Sequence, residues 1–93
     1  MIISFGDSVT KLIFQGKRSK KLPPSIHRVA MRKLWLLNAA VELHDLKVPP
    51  GNRLEKLAGN YVGYHSIRIN DQWRICFIWR DKNAHNVCIV DYH

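Results

Sequence analysis

Arg68 and Arg74 lie in two neighbouring runs rich in β-branched and aromatic residues, and their planar guanidinium forks keep their charge at any physiological pH. Such forks match the oxygens of a phosphate, and Arg53 and Lys56 place further positive charge just upstream. The last three residues are Asp91, Tyr92 and His93. An imidazole with an ordinary pKa of about 6.5 takes or gives a proton near neutrality. Asp91 can bias that imidazole, and Tyr92 can stack on a base or hydrogen-bond an oxygen. These are tools for gripping a phosphate and moving a proton beside it. His27, His44 and His85 show no ligand-like spacing with one another or with a cysteine, and read as scattered surface histidines. His65 alternates with Ile67 and Ile69, so packing competes with function there and it stays outside the catalytic set. No metal and no organic cofactor is expected.

Positioning these groups requires a sheet. From Gly51 onward the pattern is of short runs at 53–57, 64–69, 73–79 and 86–92, separated by turn-forming residues at 59–63, 70–72 and 81–84, the spacing of an antiparallel meander. In 73–79 the period-two rule puts Trp73, Ile75, Phe77 and Trp79 on one face and Arg74, Cys76 and Ile78 on the other. The aromatic face is expected to meet helices, leaving Arg74 and Arg68 on an open, shallow cationic surface. By the same alternation Arg53, Glu55 and Leu57 share one face of their strand, with Leu54 and Lys56 on the other.

The first half supplies the helices. Residues 2–5 read as a short strand ended by Gly6-Asp7, and Asp7 or Ser8 caps a helix running to Gly16. Residues 17–21 are a basic connector holding Lys17, Arg18, Lys20 and Lys21, closed by Leu22-Pro23-Pro24. Ser25 is the expected N-cap of the main helix, whose apolar stripe is Ile26, Ala30, Leu34, Leu37 and Val41, with Arg28, Arg32 and Lys33 off it. Periodicity leaves open whether Trp35 packs or faces a partner. Helices followed by a block of strands indicate an α+β fold in one domain spanning 1–93.

The balance of 15 Lys+Arg against 7 Asp+Glu gives a net charge of +8, pointing to an anionic partner such as nucleic acid. The 24% charged fraction is ordinary, which argues against disorder. No apolar run approaches the roughly 20 residues that span a bilayer, and no export signal is read at the start, so a cytoplasmic location without membrane contact is expected. Cys76 and Cys88 have no C-x-x-C spacing and read as two reduced, partly buried thiols.

Three segments are more specific: Gly63-Tyr64-His65-Ser66-Ile67-Arg68, Asn70-Asp71-Gln72-Trp73-Arg74-Ile75 and Asp91-Tyr92-His93. Through them the chain resembles, over nearly its whole length, the HigB group of the RelE-like bacterial toxins, ribosome-dependent mRNA endonucleases. The resemblance implies the RelE-like microbial RNase fold: an N-terminal strand and two helices on a mainly antiparallel twisted sheet that takes mRNA in the A site of the 70S ribosome. It implies a HigA-like helix-turn-helix antitoxin as partner, with operator DNA reached only through that antitoxin. In that group the terminal Asp-Tyr-His is associated with activity, together with a histidine where this chain has Glu55. That departure prevents the relatives' acid/base assignment from being carried over unchanged.

The implied chemistry is metal-independent: the ribose 2′-OH attacks its own phosphate and the 5′-oxygen departs. Arg74, Asp91, Tyr92, His93 and Glu55 form the candidate catalytic set, with Glu55 as general base or as anchor for a catalytic arginine. Arg53, Lys56 and Arg68 are candidate phosphate contacts, and Lys17, Arg18, Lys20 and Lys21 add attraction to ribosomal phosphates. Two other readings remain open on the sequence. One is a non-catalytic basic RNA- or ribosome-binding module; the other is an antitoxin corepressor. Arg68 and Arg74 are also compatible with surface ion pairing to Asp71 or Asp91.

Overall fold

The computed structural model describes residues 1–91; the candidate residues Tyr92 and His93 lie outside the described residues. Helices α1 (Ser8–Phe14) and α2 (Pro24–Ala39) precede strands β1 (Glu55–Lys56), β2 (His65–Arg68), β3 (Trp73–Arg80) and β4 (Asn83–Asp91). The strands form one antiparallel sheet in the order β1-β2-β3-β4, so the expected α+β meander is present. No helix among the described residues is long and apolar enough to cross a membrane.

Helix α1 starts where Asp7 accepts a hydrogen bond from the Thr10 amide at 2.7 Å, satisfying an N–H that the helix itself leaves unpaired. Helix α2 starts one residue before the expected Ser25 cap. Pro24 occupies its first turn, where a missing N–H costs nothing, and Pro23 is the N-cap with no side-chain bond. Ile26, Ala30, Leu34 and Leu37 are buried as one stripe, whereas Val41 lies beyond the helix and is exposed. Each fully buried Leu or Ile of this stripe contributes about 1.5–3 kcal/mol. Trp35, half exposed, donates its indole N–H to the Phe14 carbonyl at 3.1 Å and ties α2 to α1.

The stripe packs on Ile67, Ile75, Phe77, Val87 and Ile89, with Trp73 and Trp79 half-buried at the margin. The aromatic face of β3 therefore meets the helices as alternation requires. On β4 the alternation slips. Ala84, Val87 and Ile89 are all buried, and Asn86, at φ 52°, supplies the extra residue that shifts register between Cys76 and Ile78. The β3–β4 turn is tighter than the expected 81–84 separator. Asp81 and Lys82 both take positive φ (54° and 63°) in the two-residue form whose twist suits a hairpin, and Arg80 pairs directly with Asn83.

The expected N-terminal strand is reduced to two parallel bridges, Ile2 with Ala84 and Phe5 with Val87. They close the edge of β4: the Ile3 and Gly6 amides donate to the Ala84 and Val87 carbonyls, each at 2.8 Å. Gly6 permits that approach, since a Cβ there would lie 3.2 Å from the Asn86 carbonyl oxygen and 3.3 Å from the Cys88 Cβ. Thr10 then accepts from the Ile89 amide at 2.9 Å, continuing the edge closure into α1.

Candidate functional site

On the sheet face away from the helices, β2 and β3 bring Ser66, Arg68, Arg74 and Cys76 together, with Arg68 directly opposite Arg74. Like charges in that position repel, and the two side chains diverge. Arg68 turns outward to an ion pair with the exposed Asp71 carboxylate. Arg74 turns inward: its Nε donates to Ser66 Oγ at 2.7 Å, and its Nη2 donates to the Arg53 carbonyl at 2.7 Å and lies 3.5 Å from the Ser66 carbonyl.

Arg74 is only 7% exposed, and Ser66 and Cys76 are fully buried, so this face is not the open surface expected from alternation. Alternation assigns a side chain to a face but says nothing of what lies over that face. A 3₁₀ turn at Gly59–Tyr61 lies between β1 and β2, and Tyr61 makes an edge-on contact with Tyr64 at 5.6 Å. Burial pushes the Tyr61 phenol pKa up, with smaller contributions from Cys88 and Cys76, which share this side of the sheet. Cys76 and Cys88 are free and directly opposite one another across β3 and β4. Burial raises their thiols to about 12 and about 11, which keeps them protonated and unreactive.

Strand β1 decides which upstream charges reach Arg74. Glu55 pairs with Ser66 and Lys56 with His65, so Glu55 shares the Arg74 face and Lys56 the opposite one. The Glu55 carboxylate is 3.9 Å from Arg74 Nη2. Arg53 departs from the expected alternation because it precedes the strand in a left-handed conformation (φ 45°, ψ 57°); its carbonyl, with its side chain exposed, serves Arg74. His65 is packed: it stacks on Phe77 at 6.2 Å, and burial, then the Lys56 charge, holds its pKa below the ordinary imidazole value. His27 and His85 are half-buried instead of surface residues, and His27 Nε2 lies 3.2 Å from the Leu22 carbonyl.

Asp91 lies at the same end of the sheet as Arg74, since Val90 is the partner of Arg74 and Asp91 that of Trp73. The Asp91 carboxylate accepts from Gln72 Nε2 at 3.1 Å. By alternation it shares the Trp73 face, one step along the strand from the Arg74 pair. Lys17, Arg18, Lys20 and Lys21 are exposed in the connector between the helices, and Arg18 and Lys20 border a shallow hollow of about 480 Å³ with Leu22, Pro24 and His27.

The sequence reading missed Ser66, Asn52 and Lys33. Ser66 had a usable signal, because it alternates with Arg68. Asn52, wholly buried beside Arg53, looks like an ordinary turn residue after Pro49-Pro50-Gly51. Lys33 looks like a solvated helix charge, but it donates to the Asn52 amide oxygen.

Residues 3–93 match the family model of the HigB-like toxins, described as RelE-like toxin of type II toxin-antitoxin system HigB. Toxin HigB-1 of Vibrio cholerae serotype O1 is 42% identical over 87 residues, covering 92% of each chain. An uncharacterized protein of Haemophilus influenzae is 32% identical over 72 residues, covering 77% of this chain and 71% of its own. Among solved structures, a chain of a YoeB-YefM complex from Staphylococcus aureus superposes with a TM-score of 0.61 at 16% identity, covering 100% of this chain and 98% of that one. A heterotetrameric YoeB-YefM toxin-antitoxin complex from the same organism gives 0.54 at 16% identity with the same coverage. At that identity the likeness is one of fold.

Proposed function

The chain belongs to the RelE-like HigB toxins of type II toxin-antitoxin systems, and from that premise we propose that it is a ribosome-dependent mRNA endonuclease neutralised by a HigA-like helix-turn-helix antitoxin. One observation carries the reading. A buried, permanently charged guanidinium is held on the outer sheet face by a hydroxyl, a backbone carbonyl and a nearby carboxylate. Burying such a group is costly, and the surface pairs expected of an ordinary strand arginine do not require it.

In the proposed reaction the 2′-oxygen of the message attacks the adjacent phosphorus, a 2′,3′-cyclic phosphate forms, and the bond to the 5′-oxygen breaks. The 2′-OH proton passes to a base, and the leaving oxygen takes one up. Arg74 faces the phosphate oxygens, where negative charge accumulates in the transition state, and its fixed fork needs no reorganisation at that moment. Glu55 supports Arg74 as an anchor, in keeping with its distance and exposure. His93 carries the proton, Asp91 biases it, and Tyr92 stacks on a base. Arg53 and Arg68 contact flanking phosphates, whereas Lys56, on the other face of β1, is left out of that set. The ribosome supplies substrate alignment, which suits a small chain.

Primer extension on ribosome-bound message tests this with wild type, Arg74→Gln, His93→Ala and a chain lacking Tyr92-His93. Each variant is expected to lose cleavage while ribosome affinity stays within about threefold. Equal cleavage of naked RNA and of translating ribosomes would refute the ribosome dependence. A truncated chain that still arrests growth without cutting message would make the protein a binder instead of an enzyme.

A further inference from the structure

Thr10, Ser66, Arg74 and Asn52 are the buried polar or charged residues among the described ones. Thr10 holds α1 to β4, and Ser66 holds Arg74. Asn52 has no exposed surface and an amide that must be satisfied inside the protein. Its Nδ2 donates to the Leu46 carbonyl at 3.1 Å and the Val48 carbonyl at 3.3 Å, and its Oδ1 accepts from Lys33 Nζ. The orientation is forced, since a flipped amide would point its oxygen at two carbonyls and its NH₂ at an ammonium.

The backbone of Asn52 is also held, its amide donating to the Pro49 carbonyl at 2.9 Å, and it ends the 3₁₀ turn Pro50–Asn52. The next residue is the left-handed Arg53, an uncommon conformation for a side chain-bearing residue. That conformation aims the Arg53 carbonyl at Arg74 Nη2. A continuous path therefore runs from α2 through Lys33, Asn52 and the Arg53 carbonyl to the guanidinium. Lys33 takes this neutral partner although burial, then the charges of Arg32 and Arg68, depress its pKa.

We propose that Asn52 is a positioning residue for Arg74: tied to Leu46, Val48 and Lys33, it fixes the left-handed Arg53 whose carbonyl holds one arm of the guanidinium, and so sets the phosphate-binding geometry without touching substrate. The catalytic consequence rests on the reading of Arg74 given above; the geometric one does not. Because Asn52 also ties the helical half to the loop before the sheet, its loss destabilises the fold as well, and the rate is therefore read per folded molecule.

The test uses the full chain with Asn52→Ala, and with Lys33→Met as a variant that keeps the stem and both Asn52 donor bonds. Thermal melts give the folded fraction, the ¹H–¹⁵N cross-peak of Arg74 Nε reports the guanidinium, and single-turnover cleavage of ribosome-bound message reports the rate. Asn52→Ala is expected to shift or broaden that cross-peak and to lower the saturated rate per folded molecule by about tenfold, with ribosome affinity within about twofold. Lys33→Met moves both readouts the same way by about threefold in rate, and carries the test alone if Asn52→Ala does not fold. In an Arg74→Lys background the added loss from Asn52→Ala disappears. An unchanged cross-peak with a rate within about twofold of wild type overturns the proposal, as do losses that multiply in the double variant. If Arg74→Lys alone cleaves at the wild-type rate, the reading of Arg74 falls and the cross-peak alone judges the positioning role.

Discussion

Arg74 and the connector at 17–21 are both cationic, yet the fold treats them in opposite ways. Arg74 is 7% exposed and held by Ser66 and the Arg53 carbonyl, with Glu55 close by. Lys17, Arg18, Lys20 and Lys21 stand in water on the link between the helices. A charge fixed away from water acts strongly over a short distance and keeps its geometry through a reaction. A charge in water is screened within about 10 Å at 0.1 M salt, moves freely, and serves attraction better than chemistry. Similar side chains are therefore suited to different work by burial and partners.

The largest effect that would break this contrast is at Arg74. Arg74→Gln is expected to lower single-turnover cleavage by about 10²- to 10³-fold, the range for losing one transition-state donor, with ribosome binding nearly unchanged. A loss seen only in binding would place Arg74 in the same class as the connector.

Replacing Lys17, Arg18, Lys20 and Lys21 together with serine should weaken ribosome affinity by about tenfold at low salt and reduce the slope of log affinity against log salt. The saturated cleavage rate should not move. A fall in that rate would show that the connector takes part in the chemistry.

Glu55→Gln sharpens the contrast from within the site. A half-exposed carboxylate 3.9 Å from Arg74 Nη2 is an anchor of modest strength, so a loss of about two- to fivefold, flat across pH, is expected in single-turnover assays. A loss of about a hundredfold that changes with pH would make Glu55 the general base.

The smallest effect concerns a third potential cation, His65, on the sheet face that meets the core. Burial, then Lys56, hold its folded pKa below the ordinary value. As pH falls through about 6.5, the unfolded chain takes up the proton first, so stability declines until pH drops below the folded pKa. Denaturant midpoints at several pH values should show that decline in the wild type and a flatter profile in His65→Phe. An unchanged profile would mean that His65 is not shielded as its stacking on Phe77 indicates.

Much of the frame was readable in the residues. Ile26, Ala30, Leu34 and Leu37 recur at helical spacing, and burying them forces α2 onto the sheet. Strict alternation in 73–79 correctly separated the aromatic face from Arg74. Other features left no such mark. A turn was legible at 81–84, but its tight two-residue form at Asp81 and Lys82 and the bulge at Asn86 use positive φ without glycine, so the usual punctuation is missing. Ser25 looked like a better cap than Pro23, but Pro24 already meets the geometry of a first turn.

The sequence by itself determined the net charge of +8, the helical stripe, the alternation of the strands and the family to which the chain belongs. Tertiary structure alone decided that Arg74 would be buried, Arg68 turned outward to Asp71, and Asn52 and Lys33 joined to the site. Periodicity reports which way a side chain points along its own element. The solvation and partners of a charge depend on strand register and on a left-handed turn that join residues far apart in the chain.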